Sequence, residues 1–276
     1  MSRPMRVSKI SEHYCGTFNP FAQSSRIARE LSALMQREQR GARLSNEEFR
    51  KLGSWQKYRK EDDGGTPMSA EEIRAAWGRT GRKAAAEGTV FHRVAEWLML
   101  RGDARLTTAP EALLQEAWAA TRRKSDAVAW RRGVLAGELE QLVRVFVGMR
   151  RQGWLPVHSE LKVEGYGIAG TIDAVWRHAR TGVVRIIDWK RSKGDTYPVR
   201  ERCRAPFAAY RATKGTQWSV QTNLYGLLYR RGAPGTEVEL VTMRFFGKED
   251  PDTHVVHRMD DALLIEAIRM YQCRSC

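Results

Sequence analysis

Asp188-Trp189-Lys190 closes the mostly apolar run Val183–Ile187, ahead of a basic stretch at Arg191 and Lys193. Side chains alternate across a strand, so Asp188 and Lys190 leave the same face. The preceding strand candidate carries Asp173 within Gly170-Thr171-Ile172-Asp173. If the two strands form a hairpin, two carboxylates converge at one sheet end. That arrangement is costly unless a cation sits between them. Mg²⁺ takes hard oxygen ligands, one or two carboxylates plus water and phosphate oxygens. A lysine beside such a pair suits phosphodiester hydrolysis, either orienting and helping to deprotonate water or stabilising charge on phosphorus. The same three residues also suit an ordinary ion pair at a strand end, so the motif alone leaves both readings open.

Further residues bear on the choice. His92, in Gly88-Thr89-Val90-Phe91-His92, is expected in the first turn of a helix capped by Thr89. There the helix dipole would disfavour imidazolium and leave a neutral ring able to bind metal. Glu96 follows one turn later. Gln221 and Tyr225, four apart, share a helix face and could hold a phosphate or order Lys190, or simply satisfy each other. Glu160 opens a strand, as a further acid near the metal or as a solvated charge.

Taken in order, Gly88-Thr89-x-x-His92, Glu160, Gly170-x-x-Asp173, Asp188-Trp189-Lys190 and Gln221-x-x-x-Tyr225 resemble the PD-(D/E)XK nuclease superfamily. The closer resemblance is to its RecB-like branch, which includes mitochondrial genome-maintenance exonucleases and RecB-like nucleases of large DNA viruses and protists. It covers roughly residues 86–232; each motif is weak alone, and their shared order carries the signal. The resemblance implies an α/β, restriction-endonuclease-like core, a central mixed sheet flanked by helices, and cleavage of DNA with Mg²⁺ or Mn²⁺. By position, His92, Asp173, Asp188 and the Trp189 carbonyl would bind metal. Lys190 would be the catalytic lysine, with Glu160 as an additional acid. Gln221, Tyr225, Arg191 and Lys193 would meet the DNA. Some members hold an iron–sulfur cluster with one cysteine before the motifs and three after. Here Cys15 precedes them, but Cys203 falls before the Gln–Tyr helix and only Cys273 and Cys276 follow it. Free thiols are therefore the expectation, and a four-cysteine cluster the alternative.

The elements that must position these residues follow from periodicity. Residues 1–20 read as irregular, Arg26–Arg40 as a helix, and Ser45 and Ser69, each with Glu three residues on, as capping boxes. A helix from Thr89 to about Arg101, one opening at Pro110, and one within Ala127–Gln152 come next. Strands are expected at about 156–164, 168–177 and 183–190, the last two joined by a tight hairpin. A helix ending at Gly232, a strand near Thr236–Phe246, a short strand near Thr253–Met259 and a last helix capped by Asp260 complete the chain. This divides it into a helical N-terminal lobe, 1–85, and a nuclease core, 86–276.

Forty-seven Lys and Arg against 32 Asp and Glu give a formal charge of +15, which favours a polyanionic partner. DNA, with single-stranded ends preferred, is the expected partner, acting alone or with a helicase or another replication or recombination protein. The chain has no Gly-x-x-x-x-Gly-Lys-Ser/Thr loop, so no motor is expected in it. No apolar run reaches the roughly 18–20 residues of a membrane span. Four cysteines do not suggest a disulfide framework. The start lacks a secretory apolar core; its basic, Ser-containing character is shared by mitochondrial presequences, against which Glu12 argues. An intracellular protein is expected. Two other readings share the same residues: a non-catalytic nucleic-acid-binding protein, and an RNA-processing nuclease, since the chemistry does not require the missing 2′-hydroxyl.

Overall fold

Runs of β-branched residues broken by Gly-containing turns produce the long strands of the sheet. A computed structural model describes residues 4–16, 19–60, 65–101, 110–121, 134–192, 198–246 and 250–274. In chain order the elements are β1 (Met5–Arg6), α1 (Val7–Cys15), α2 (Pro20–Gln39), α3 (Asn46–Ser54), α4 (Ala70–Leu100), α5 (Pro110–Thr121) and α6 (Val134–Arg151). They continue as β2 (Trp154–Gly165), β3 (Ile168–His178), β4 (Val184–Arg191), β5 (Pro198–Arg202), β6 (Arg211–Thr213), α7 (Lys214–Gly232), β7 (Val238–Phe245), β8 (Asp252–Val255) and α8 (Asp261–Cys273). The chain forms two units, one of residues 1–17 with 86–276 and one of residues 18–85.

The first unit holds a six-stranded mixed sheet. Strand β3 is antiparallel to β2 along its length, and β4 pairs antiparallel with its second half from Ala174 to Arg177. Strand β4 runs parallel to β7, which is antiparallel to β8. Both faces are covered by helices. On one, Trp176, Ile187, Trp189 and Phe245 pack with Phe91, Val94 and Leu98 of α4 and Leu135, Leu139 and Leu142 of α6. On the other, Ile172, Val175 and Ile186 pack with α1, with Val220, Leu224 and Leu228 of α7, and with Leu264 and Ile268 of α8. A strand buried on both faces reads as a continuous apolar run, as Ile186-Ile187 does.

Residues 5–15, within the stretch expected to be irregular, form a strand and a helix. Met5 and Arg6 extend the sheet, pairing parallel with Ile168 and Ala169. Val7, Ile10, Tyr14 and Cys15 are fully buried, and the Tyr14 hydroxyl donates to the Ala267 carbonyl at 2.7 Å. Helix α1 has nine residues and no side-chain cap, so neither length nor capping announces it. Helices that short depend on tertiary packing. Ile10→Ala is therefore expected to cost about 2–5 kcal/mol. A urea midpoint equal to that of the unaltered protein would show that α1 is not part of the core.

Thr89 does not cap a helix either: it lies inside the 31-residue α4, which runs unbroken through Gly78, Gly81 and Gly88. Gly81 and Gly88 face open space, so their lack of a side chain weakens the helix without interrupting it. The unit of residues 18–85 has its own small core of Ile27, Leu31, Leu34, Leu52, Tyr58 and Ile73. Both expected capping boxes form there. Ser45 and Glu48 exchange bonds of 2.8 and 3.3 Å, and Ser69 and Glu72 bonds of 2.7 and 3.2 Å. Among the described residues no helix is long and apolar enough to cross a membrane.

Candidate active site

The site lies where β3 and β4 part. Their ladder ends at Ala174 opposite Ile187, so Asp173 and Asp188 stand at the first rung of the opening fork. The next backbone donor, the Trp189 N–H, gives its hydrogen bond to Asp173 Oδ2 at 2.8 Å. One carboxylate thus replaces a strand partner and fixes the width of the fork. Strand β4 continues beside β7, which holds Asp188 and Lys190 rigidly on one face. Lys190 Nζ donates to Asp188 Oδ1 at 2.9 Å and lies 2.8 Å from Oδ2, which has no hydrogen-bond partner although Asp188 is 1% exposed.

Three more elements bring side chains to the fork. His92 Nδ1, from α4, is 3.5 Å from Glu160 Oε1 and 3.7 Å from Asp173 Oδ1. Glu160, from β2, is carried at a φ of 49°, a left-handed conformation that costs a non-glycine residue about 1–3 kcal/mol and gathers at functional sites. One ligand atom from each of His92, Glu160 and Asp173 lies within 4.8 Å of the others. From α7, the Gln221 amide donates to the Tyr225 hydroxyl at 2.9 Å. Gly170 explains its place in the motif: a Cβ there would stand 2.5 Å from the Tyr225 ring, so only glycine lets the phenol lie against β3.

The electrostatics are those of a crowded anionic site. Burial, and then the charge of Asp188, push the Asp173 carboxyl up to about 7, against the opposing pull of His92 and Lys190. Burial lowers the Lys190 ammonium, but Asp188 and Asp173 prevail and hold it protonated above its ordinary value. His92 is likewise lowered by burial and raised further by Glu160 and Asp173, for a net rise. The expectation of a ring kept neutral by a helix N-terminus is therefore corrected: His92 sits deep in α4, and its neighbouring carboxylates set its charge. Burial and the Asp188 charge push the Tyr225 phenol well above its usual range.

The sequence model of the PD-(D/E)XK nuclease superfamily matches residues 69–272, most of the chain. The chain belongs to the PD-(D/E)XK nuclease superfamily. Its mixed sheet between two helical layers is the restriction-endonuclease-like arrangement expected from the sequence. A solved structure from Eubacterium rectale, named "Putative exonuclease", is 16% identical over 84% of each chain, with a TM-score of 0.32; at that score the likeness carries no argument. No curated protein matches.

Superfamily members typically use divalent metal ions, and the residues present fit one. The upward push that burial and the Asp188 charge exert on Asp173 marks an excess of negative charge that a cation relieves. The set within reach of one point is His92, Glu160 and Asp173, whereas Asp188 is engaged by Lys190. Glu160 does not open its strand but lies in the middle of β2, where its carboxylate stands with His92 and Asp173.

Arg191, expected from the resemblance as a DNA contact, is held by partners within the fold. Its guanidinium pairs with Glu138 and, at 3.1 Å, with Glu87, and its side chain is only 12% exposed. Two glutamates on α4 and α6 consume the charge, so it ties those helices to β4. Arg191→Ala is expected to lose about 3–5 kcal/mol of stability, because it removes the guanidinium that two buried carboxylates share. A thermal melt checks this; unchanged stability with a reduced salt slope of DNA binding would return Arg191 to the DNA. Lys193 lies outside the described residues. Of the four cysteines, Cys15 and Cys203 are buried with sulfurs 3.5 Å apart, Cys273 is exposed, and Cys276 lies outside the described residues. Among the described residues no cysteine joins a group of three or more metal-binding side chains.

Proposed function

We propose that this chain is a Mg²⁺- or Mn²⁺-dependent deoxyribonuclease of the RecB-like branch that trims single-stranded DNA ends in repair, recombination or replication. One observation carries the reading: a His92–Glu160–Asp173 ligand group stands beside the Asp188–Lys190 pair at the fork of the sheet. His92, Glu160 and Asp173 would hold the ion, with Asp188 and the Trp189 carbonyl completing its surroundings. A bound divalent ion supplies Lewis acidity and an attacking water that ionises near neutral pH. Imidazole among the ligands suits Mn²⁺ better than Mg²⁺.

The remaining residues have distinct tasks. Lys190, held protonated by Asp188, orients the attacking water and stabilises charge that builds on the phosphorus oxygens. Because the Gln221 amide donates to the Tyr225 oxygen, the phenol keeps its own hydrogen for a phosphate oxygen. Burial keeps that phenol protonated at working pH. The excess of 15 positive charges draws the polyanion and makes its binding salt-dependent.

The preference for ends is tested with 5′- and 3′-labelled single-stranded DNA, a circular single strand and an RNA of equal sequence. Shortened linear DNA with an intact circle and intact RNA is expected. A cut circle removes the need for an end, and RNA cut at an equal rate removes the DNA assignment. Binding without turnover in Mg²⁺ and Mn²⁺ makes the chain a non-catalytic binder.

A further inference from the structure

A second concavity lies beside the fork. Its volume is about 310 Å³, at the lower end of the roughly 300–1,000 Å³ of small-molecule sites. Its wall includes Tyr210, Trp218, Thr242, His254, His257 and Arg258. From these observations we infer that the cavity seats the nucleotide next to the scissile phosphate, and so makes this the end-binding pocket of the nuclease; the inference rests on the reading of the fork as a phosphodiesterase site.

Position is the first argument. Thr242 is the register partner of Asp188 on the adjacent parallel strand. The two side chains leave the same face of the sheet, one strand spacing of about 4.8 Å apart. Thr242 Oγ1 lies 3.4 Å from Thr222 Oγ1, which joins β7 to α7. Along α7, Trp218 precedes Gln221 by three residues, less than one turn. The same helix therefore presents Gln221 and Tyr225 to the carboxylates and Trp218 to the cavity, and a strand held at one side reaches the other within a nucleotide.

Chemistry is the second. A nucleotide has a flat base and an anionic phosphate. Tyr210, 40% exposed, provides an aromatic face for stacking, the usual sequence-tolerant contact with single strands, and the buried Trp218 forms part of the wall behind it. His254, His257 and Arg258 provide nitrogen donors. Arg258 Nη2 lies 3.0 Å from Asp261, but Asp261 is shared with Arg230 at 2.6 Å, so two guanidiniums face one carboxylate.

Rigidity is the third. Asn223 is fully buried, and its amide donates to the His257 carbonyl at 3.1 Å while its oxygen accepts from the Met259 N–H at 2.8 Å. Both ends of one side chain clamp the segment that carries His257 and Arg258. A buried, fully satisfied amide of this kind holds a wall in one geometry, as a preorganised binding site needs.

The test uses metal-free protein in EDTA and single-stranded pentadeoxynucleotides with 2-aminopurine at the 5′ end, the 3′ end or the centre. Quenching by stacking is expected for one terminal label and not for the central one. Tyr210→Ala should remove most of that quench, and His254→Ala with Arg258→Ala should weaken binding about tenfold, each with an unchanged melting temperature. Affinity and quench within twofold of wild type in both variants, or no binding by wild type, overturns the pocket. Because no turnover is read, the outcomes separate. Variant-sensitive binding in a protein that never cleaves keeps the nucleotide pocket and removes the nuclease reading. Cleavage with variant-insensitive binding removes the pocket alone.

Discussion

Lys190→Ala is expected to lower the rate of single-stranded DNA cleavage about 10²–10³-fold, the scale of removing one charge-stabilising donor from a preorganised site. Binding of the same DNA should change only a few-fold, since one of 47 basic residues is lost. The fall should appear in kcat, because the ammonium acts on charge present only as phosphorus becomes five-coordinate. Asp188 loses its cation in this variant and is almost fully buried, so the metal-free protein should also melt earlier. Added Mn²⁺ should restore part of that loss. Cleavage assays and melts with and without Mn²⁺ check both statements, and a cleavage rate within threefold of wild type contradicts the assignment.

Asp173→Asn should separate activity from stability in the opposite direction. It removes a metal-binding carboxylate, so cleavage should fall at least as far as with Lys190→Ala, and the upward shift in melting temperature on adding Mn²⁺ should disappear. Yet the fold should not suffer in EDTA. The asparagine carbonyl can still accept the Trp189 N–H, and the repulsion between two buried carboxylates is gone. The sign follows from the shift. Asp173 has a folded-state pKa of about 7, above its ordinary value of 3.8, so its protonated form favours the fold at low pH and that contribution is lost as pH rises toward 7. In EDTA the variant should match wild type near pH 4 and exceed it in stability above pH 7. Melts across that range decide the matter: a variant less stable than wild type at pH 8 would mean that the two carboxylates are not in conflict. Natural sites that trade stability for function show this pattern.

Local periodicity made much of the site legible. Asp188 and Lys190 could be placed on one face because strands alternate with period two, and Asp173 could be set opposite because the hairpin between β3 and β4 is short. Gln221 and Tyr225 fell on one face because helical neighbours are four apart, and they bond as that spacing suggests. Long-range pairing was the hidden part. Arg191 reads as a basic loop residue because its partners, Glu138 and Glu87, are 53 and 104 residues away. Glu160 lies in the strand beside Asp173, but nothing local distinguishes a metal-facing acid from a solvated one. Helix α1 was invisible for a related reason: its stability comes from burial against β3, α7 and α8 and not from its own caps or length. The unbroken α4 shows the reverse error, in which Thr89, read as a helix cap, proved to be an interior helix position.

The central claim is that the fork between β3 and β4 cleaves phosphodiester bonds with a divalent ion held by His92, Glu160 and Asp173. The most direct measurement is cleavage of an end-labelled single-stranded oligonucleotide by wild type and Lys190→Ala in Mg²⁺, Mn²⁺ and EDTA. Products are expected from wild type in Mg²⁺ or Mn²⁺, none in EDTA, and a loss of about 10²–10³-fold in the variant. Cleavage that persists in EDTA, or that the variant performs at the wild-type rate, would contradict it.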